Sequence, residues 1–252
     1  MTGTMPLPSF PVLSAMSCSS QPASGPTSGE TKSVNLSRPA VAATPRNAPN
    51  QAAGYFLKIN PFDQPNVEAT KKKTREILER TASKDVTGPA KPVLIADGLR
   101  IYAERKPGSP REAMDRFLEN SREGDYIAVQ VFLAVTAELQ GLLEEFSRRL
   151  YDKRRLPVTI GYGPRYLHST GQLHKGDGNR GLFIQLARPA SADVPIPEIP
   201  EIHRPAPSFG VLFSAQGWGD WLALRDLGRR TLRLEFEGSA EQGLRRLIAL
   251  FE

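Results

Sequence analysis

The chain has 252 residues, 39% hydrophobic and 24% charged. That is enough apolar material for one globular core, but Arg, Asp, Glu or Pro interrupts every apolar run before the roughly 20 residues that a bilayer crossing needs. A single cysteine, Cys18, excludes an intramolecular disulfide and a cysteine-based metal site, while the formal charge of +6 attracts phosphate in any form, in nucleic acid, membrane surface or metabolite.

From Met1 to Ala53 the sequence is mostly Pro, Ser, Thr, Ala, Gly and Asn without periodicity, and it cannot bury enough surface to offset its ordering entropy. Residues 1–53 are therefore expected to form a disordered leader. No Lys or Arg precedes the apolar part of Met1 to Met16, and Pro6, Pro8 and Pro11 break any signal-type helix, so a cytoplasmic setting is expected.

The folded part is expected to begin at Gly54. A short apolar run, Tyr55 to Ile59, leads into Asn60-Pro61, and Val67 to Ala82 reads as a helix with Asp63 or Asn66 as its N-cap. Gly88, Pro89 and Pro92 mark a linker, giving a segment over 54–88 and a larger domain over 89–252.

In that domain strand and helix patterns alternate. Gly98 to Ala103 predicts a strand, Pro110 to Ser121 a helix with Pro in its first turn, and Tyr126 to Ala134 a buried strand. Leu139, Leu142, Leu143, Phe146 and Leu150 recur at three- and four-residue steps and predict an amphipathic helix over Thr136 to Arg154. Strands follow at Pro157 to Tyr162 and Gly181 to Ala187, a helix at Ser208 to Gly228, a strand at Thr231 to Phe236 and a closing helix at Ser239 to Phe251. Helical crossovers of this length imply an α/β, doubly wound, largely parallel sheet, in which ligands sit beyond the carboxyl ends of strands.

Attention therefore falls on the loop from Gly161 to Gly176. Its glycines let backbone amides approach a ligand closely; Ser169, Thr170 and Gln172 supply neutral hydrogen bonds; Arg165 and Lys175 supply positive charge; and the loop holds two histidines, His168 and His174, the residue type that can move a proton near neutral pH. This is the inventory that a polyhydroxylated phosphate needs, and an ordinary surface turn is the competing reading. A metal site is not expected, because two histidines six apart with only Asp177 nearby match no common zinc spacing.

The segment from Lys58 to Lys71 enters the Val67 to Ala82 helix through two prolines, Pro61 and Pro65, and Glu68 and Lys71, three apart, share a helix face. Lys153, Arg154 and Arg155 form a basic cluster, but no aromatic interleaving or recognised helix motif accompanies it, so a nucleic-acid partner is not expected. Trp218 and Trp221 are expected in the core and His203 in solvent. The alternation of Thr231 to Glu237 suggests a strand with one wet face or an edge position.

Asn60 to Glu68 resembles the glucose-6-phosphate isomerase signature around Asn-Pro-Phe-Asp-Gln. Gly161 to Gly176, followed by Gly181-Leu182-Phe183-Ile184-Gln185, is similar to a segment toward the C-terminus of bacterial bifunctional transaldolase/glucose-6-phosphate isomerase fusion proteins. The resemblance spans Gly54 to Glu252. It implies a sheet of the sugar-isomerase kind and interconversion of glucose 6-phosphate and fructose 6-phosphate, a step of glycolysis and gluconeogenesis, with no metal or organic cofactor.

In that chemistry a histidine helped by a lysine opens the sugar ring, and a glutamate moves a proton through an enediol. The resemblance assigns Lys71 and His174 to catalysis, with Arg165, His168, Ser169, Thr170, Gln172 and Lys175 binding the substrate. It also implies that the catalytic glutamate and the transaldolase part are missing from this chain, so that it is an isomerase fragment, incomplete alone. A non-catalytic phosphosugar-binding module or scaffold is the alternative. Expected partners are the sugar phosphate and a second copy or a complementing isomerase half, with no membrane.

Overall fold

Apolar residues at helical spacing, fixed by hydroxyl caps, fold where that spacing predicts them. The computed structural model describes residues 48–60, 63, 65–81, 88–189, 193–197 and 207–252, so residues 1–47, with Cys18, and His203 lie outside the described residues. Two compact units divide the chain, Met1–Pro61 and Phe62–Glu252.

In the first unit α1 spans Ala48–Leu57, so helix replaces both the end of the expected leader and the apolar run before Asn60. Its alanines favour that state. Tyr55 and Phe56 meet edge to face at 5.6 Å and are both exposed.

The second unit opens with α2 (Pro65–Thr81). Asn66 is the second residue of that helix and does not cap it. Next comes a hairpin absent from the sequence-based expectation: β1 (Leu94–Ala96) and β2 (Leu99–Tyr102) pair antiparallel around Asp97-Gly98, with φ of 53° and 70°. A two-residue turn with both φ values positive suits the right-handed twist of a hairpin, and Asp-Gly is among the pairs that adopt it readily.

Then follow α3 (Pro110–Glu119), β3 (Tyr126–Phe132), α4 (Ala137–Arg154), β4 (Val158–Tyr162), α5 (Thr170–Gly176), β5 (Gly181–Ala187), α6 (Phe209–Asp226), β6 (Arg230–Phe236) and α7 (Ala240–Ala249). Ser109, Thr136, Ser208 and Ser239 each accept a backbone N–H at the start of α3, α4, α6 and α7 respectively.

The strand order is β1-β2-β6-β5-β3-β4. The four strands from β6 to β4 run parallel, while β1, β2 and β6 pair antiparallel. The sheet is mixed and mostly parallel. Helices cover both faces, the doubly wound arrangement that the alternating pattern predicts.

On one face Leu118 of α3, Leu143 and Phe146 of α4 and Leu244 of α7 pack on Val129, Ile184 and Leu234 in a wholly apolar core. The opposite face lies under α2, α5 and α6. There Trp218 and Trp221 of α6 are buried with Ile77 and Tyr102, as expected of core anchors. A methyl group on Gly219 of α6 would lie 2.5 Å from Thr74 Oγ1 and 3.2 Å from Thr70 O of α2. Glycine at this point is what lets the two helices approach so closely.

Two local expectations need correction. The segment from Gly161 to Gly176 is not an open loop: after β4 the chain makes a 3-10 turn, Arg165–His168, and then α5. Strand β6 is neither an edge nor wet on one face, because it lies between β2 and β5 and both Arg233 and Glu235 are buried. Alternating charge in a central strand requires polar partners inside the protein.

Candidate functional site

Those partners form a row across the sheet. Tyr102 of β2 lies opposite Arg233 of β6, Arg233 opposite Gln185 of β5, Gln185 opposite Gln130 of β3, and Gln130 opposite Gly161 of β4. Side chains directly opposite in neighbouring strands point to the same face. The row therefore runs as one polar stripe beneath the layer of α2, α5 and α6.

Arginine has only donors, and this sets the direction of every hydrogen bond along the stripe. Arg233 Nη1 donates to Gln185 Oε1, leaving the Gln185 amide nitrogen to donate to Gly217 O at 3.1 Å and Gln130 Oε1 at 3.5 Å. With its oxygen engaged, Gln130 directs Nε2 at His174 Nδ1, 3.2 Å away. Nδ1 must accept, so a neutral His174 carries its proton on Nε2. Protonating Nδ1 would set two donors face to face.

His174 is 3% exposed, enclosed by the rings of Phe183, Tyr166 and Tyr126 with centroids 5.1, 5.6 and 6.5 Å away. Burial pushes its pKa down to about 4, against the opposing pull of the Asp220 carboxylate. The imidazole is neutral at physiological pH.

At the other end Arg233 is balanced by charge and by an aromatic face. Its Nη2 lies 2.6 Å from Glu235 Oε1, and its guanidinium sits 3.8 Å from the Trp218 ring centroid. Tyr102 OH donates to Glu235 Oε2 at 2.8 Å. Burial and the Glu235 carboxylate both hold that phenol protonated.

A second buried cluster stands beside His174. Lys175 Nζ donates to Asp220 Oδ1 and, at 3.3 Å, to Gly171 O, while Tyr166 OH donates to Asp220 Oδ2 at 2.5 Å. Lys175 and Asp220 are both almost fully buried. Burial, then the Asp220 charge, raise the Tyr166 pKa well above its usual value.

The structure divides the residues expected to act together. His174 and Lys175 turn inward. Arg165, His168, Ser169 and Thr170 stand exposed on the 3-10 turn and at the start of α5; Arg165 lies 5.9 Å from the Tyr162 ring centroid, and Ser169 Oγ donates to Tyr166 O. Gln172 is half-buried, with its Oε1 buried and unpartnered. Lys71 turns outward to Glu68, 2.7 Å away, in the surface pair that the spacing predicts.

α2 and α5 pack together, and a methyl on Gly176 would lie 3.4 Å from Asn66 Nδ2. Sequence reasoning missed Gln130, Gln185, Arg233, Glu235, Tyr166 and Asp220. The alternating charges of β6 were the available signal for two of them.

The basic cluster is already engaged within the fold. Lys153 pairs with Asp115 at 3.2 Å, Arg154 donates to Ser121 Oγ, and Arg155 pairs with Asp152 at 3.2 Å. No group of acidic, histidine or cysteine side chains suited to a metal ion occurs among the described residues, and none of their helices is long and apolar enough to cross a membrane.

Because His174 stays neutral in the fold but titrates near its ordinary value when unfolded, acid must weaken the protein through it. Between pH 6.5 and 4 the unfolded chain takes up a proton that the folded chain refuses, so stability falls as pH falls through that window. The shift corresponds to a loss of up to about 3 kcal/mol. Urea unfolding at several pH values should show this decline, and His174→Gln should flatten it.

No protein-family model matches the chain, and no curated protein matches it. Among solved structures it is similar to the hypothetical protein TT0462 from Thermus thermophilus, with a TM-score of 0.47 and 16% identity over 73% of this chain and 44% of that one. The chain thus spans under half of that protein's length.

Proposed function

We propose that this chain is the sugar-phosphate-binding part of a glucose-6-phosphate isomerase, which binds glucose 6-phosphate or fructose 6-phosphate and depends on a complementing isomerase half for turnover. The observation that carries this reading is the packing of α2 on α5: the helix that continues the Asn-Pro-Phe-Asp-Gln signature lies beside the histidine segment, although the two are far apart in sequence. The exposed Arg165, His168, Ser169 and Thr170 then offer one cation and several hydrogen-bonding groups to a hydroxylated phosphate.

His174 favours a second reading. A neutral imidazole accepting from Gln130, with its ring enclosed by aromatic side chains, is poorly placed to open a sugar ring. On that ground the chain alone is a phosphosugar-binding module without turnover.

Both readings predict that fructose 6-phosphate raises the melting temperature. At about one hundred times Kd the stabilisation is roughly 2.7 kcal/mol, or about 5–10 °C for a domain of this size. Arg165→Ala, which removes the cation of the proposed sugar-phosphate surface, should abolish the shift, and no shift at millimolar ligand would contradict both. A coupled dehydrogenase assay separates them: turnover with an isomerase half added in trans supports the first, and binding without turnover supports the second.

A further inference from the structure

The two edges of the sheet are not alike. Edge β1 is only three residues long, the kind of short border that resists pairing with another chain. Edge β4 has β3 on one side and no strand on the other among the described residues. Its sequence is Val-Thr-Ile-Gly-Tyr, without charge or proline, and its register against β3 runs unbroken, so no bulge bends it away. A strand with none of these guards is a template for another strand.

The ladder shows which backbone groups are on offer. Ile127 N donates to Pro157 O and Gly163 N donates to Val131 O, both at 2.8 Å, so Pro157, Thr159, Gly161 and Gly163 turn toward β3. In a regular ladder the residues between them turn their N–H and C=O the opposite way. Val158, Ile160 and Tyr162 therefore present donors and acceptors to the open side.

Their side chains are the second observation. Val158, Ile160 and Tyr162 lie on the face of α3, α4 and α7, where they pack against the apolar core yet remain only half-buried. They form the margin of that core, and a strand added beyond β4 would extend it over them. On the opposite face Thr159 and Gly161 are small and uncharged.

The same strand from a second copy fits this edge. When two β4 strands pair antiparallel about a two-fold axis at Ile160, Val158 of one copy meets Tyr162 of the other, and Ile160 meets Ile160. Each such pair exchanges two hydrogen bonds, and β-branched and aromatic residues stabilise one another across strands. Thr159 falls opposite Gly161, so no like charges meet within the strand.

Beyond the strand ends the charges balance. Burial, then the Glu144 charge, raise the Tyr162 pKa against the charge of Arg165, which puts both charged groups near that end of β4. Before β4, Arg155 pairs with Asp152 at 3.2 Å. The axis brings the Tyr162 end of one copy to the Val158 end of the other, so each junction gathers Glu144 and Arg165 from one copy and Arg155 and Asp152 from the other.

We propose that this chain forms a two-fold dimer through β4, joining two six-stranded sheets into one continuous sheet. The dimer does not depend on the sugar-phosphate reading.

Sedimentation velocity of the full chain from about 1 to 100 µM, combined with amide hydrogen exchange, tests this. The chain should pass from monomer to dimer over that range, and the amides of Val158, Ile160 and Tyr162 should exchange about tenfold or more slower at the upper end. Thr159→Lys, confined to an exposed side chain, places on the edge the residue that natural edge strands use against pairing. It should weaken association by about tenfold or more and leave the urea midpoint of the monomer unchanged. A chain that stays monomeric at about 100 µM, a dimer in which these amides exchange as fast as in the monomer, or a dimer that Thr159→Lys leaves intact would overturn the proposal.

Discussion

Asp220→Ala is expected to lower the stability of the protein by about 3–5 kcal/mol, a large share of the roughly 5–15 kcal/mol that holds a domain folded. The carboxylate receives Lys175 Nζ on one oxygen and Tyr166 OH on the other, and water reaches none of the three groups freely. Removing it leaves an ammonium in the interior whose remaining acceptor is Gly171 O, together with a phenol that has lost its carboxylate acceptor. The size of the effect comes from this orphaned charge rather than from the attraction of the pair. Lys175→Met combined with Asp220→Leu should consequently be far milder than Asp220→Ala, since buried ion pairs exchange for apolar groups of similar volume at little cost. Urea midpoints for the single and double variants give the comparison. The same pairing explains why Lys175, expected to meet a substrate phosphate, faces Asp220 instead: the carboxylate already neutralises its charge.

Arg233→Leu should be as damaging, again by about 3–5 kcal/mol in chemical unfolding. The guanidinium is the buried cation of β6 and the donor from which the polar stripe starts. Without it Glu235 keeps only the Tyr102 hydroxyl, Gln185 Oε1 loses its donor, and Trp218 loses a cation 3.8 Å from its ring centroid. Arg233→Lys should fall between the two. Lysine retains the charge, but a single ammonium cannot bridge Glu235 and Gln185 or stack flat on the indole.

The elements that sequence revealed best are those whose local chemistry agrees with their setting. Leu139, Leu143, Phe146 and Leu150 repeat at helical spacing behind the Thr136 cap, and α4 forms there with all four buried. Pro110 and Ser109 mark the start of α3 equally well. Asp97-Gly98 carried a hairpin signal too, but β1 is only three residues long and its periodicity is slight.

Strand β6 misled for a physical reason. Charges on alternate residues look solvated when only neighbours are considered, yet Arg233 finds Gln185 forty-eight positions away and Tyr102 finds Glu235 at a separation of 133. His174 and Lys175 stood out as chemically capable residues, but Asp220 lies in Gly-Trp-Gly-Asp-Trp, a helical stretch with no signal of its own. Tertiary pairing decides whether a capable side chain faces solvent or the interior, and local spacing does not encode it.

Burial keeps His174 neutral, and the donor chain running from Arg233 through Gln185 and Gln130 places its proton on Nε2. Nitrogen-resolved NMR of the imidazole during a pH titration tests this directly. The predicted result is one Nε2–H tautomer that stays unprotonated down to about pH 4. A midpoint near the ordinary value of about 6.5, or an Nδ1–H tautomer at neutral pH, would contradict it.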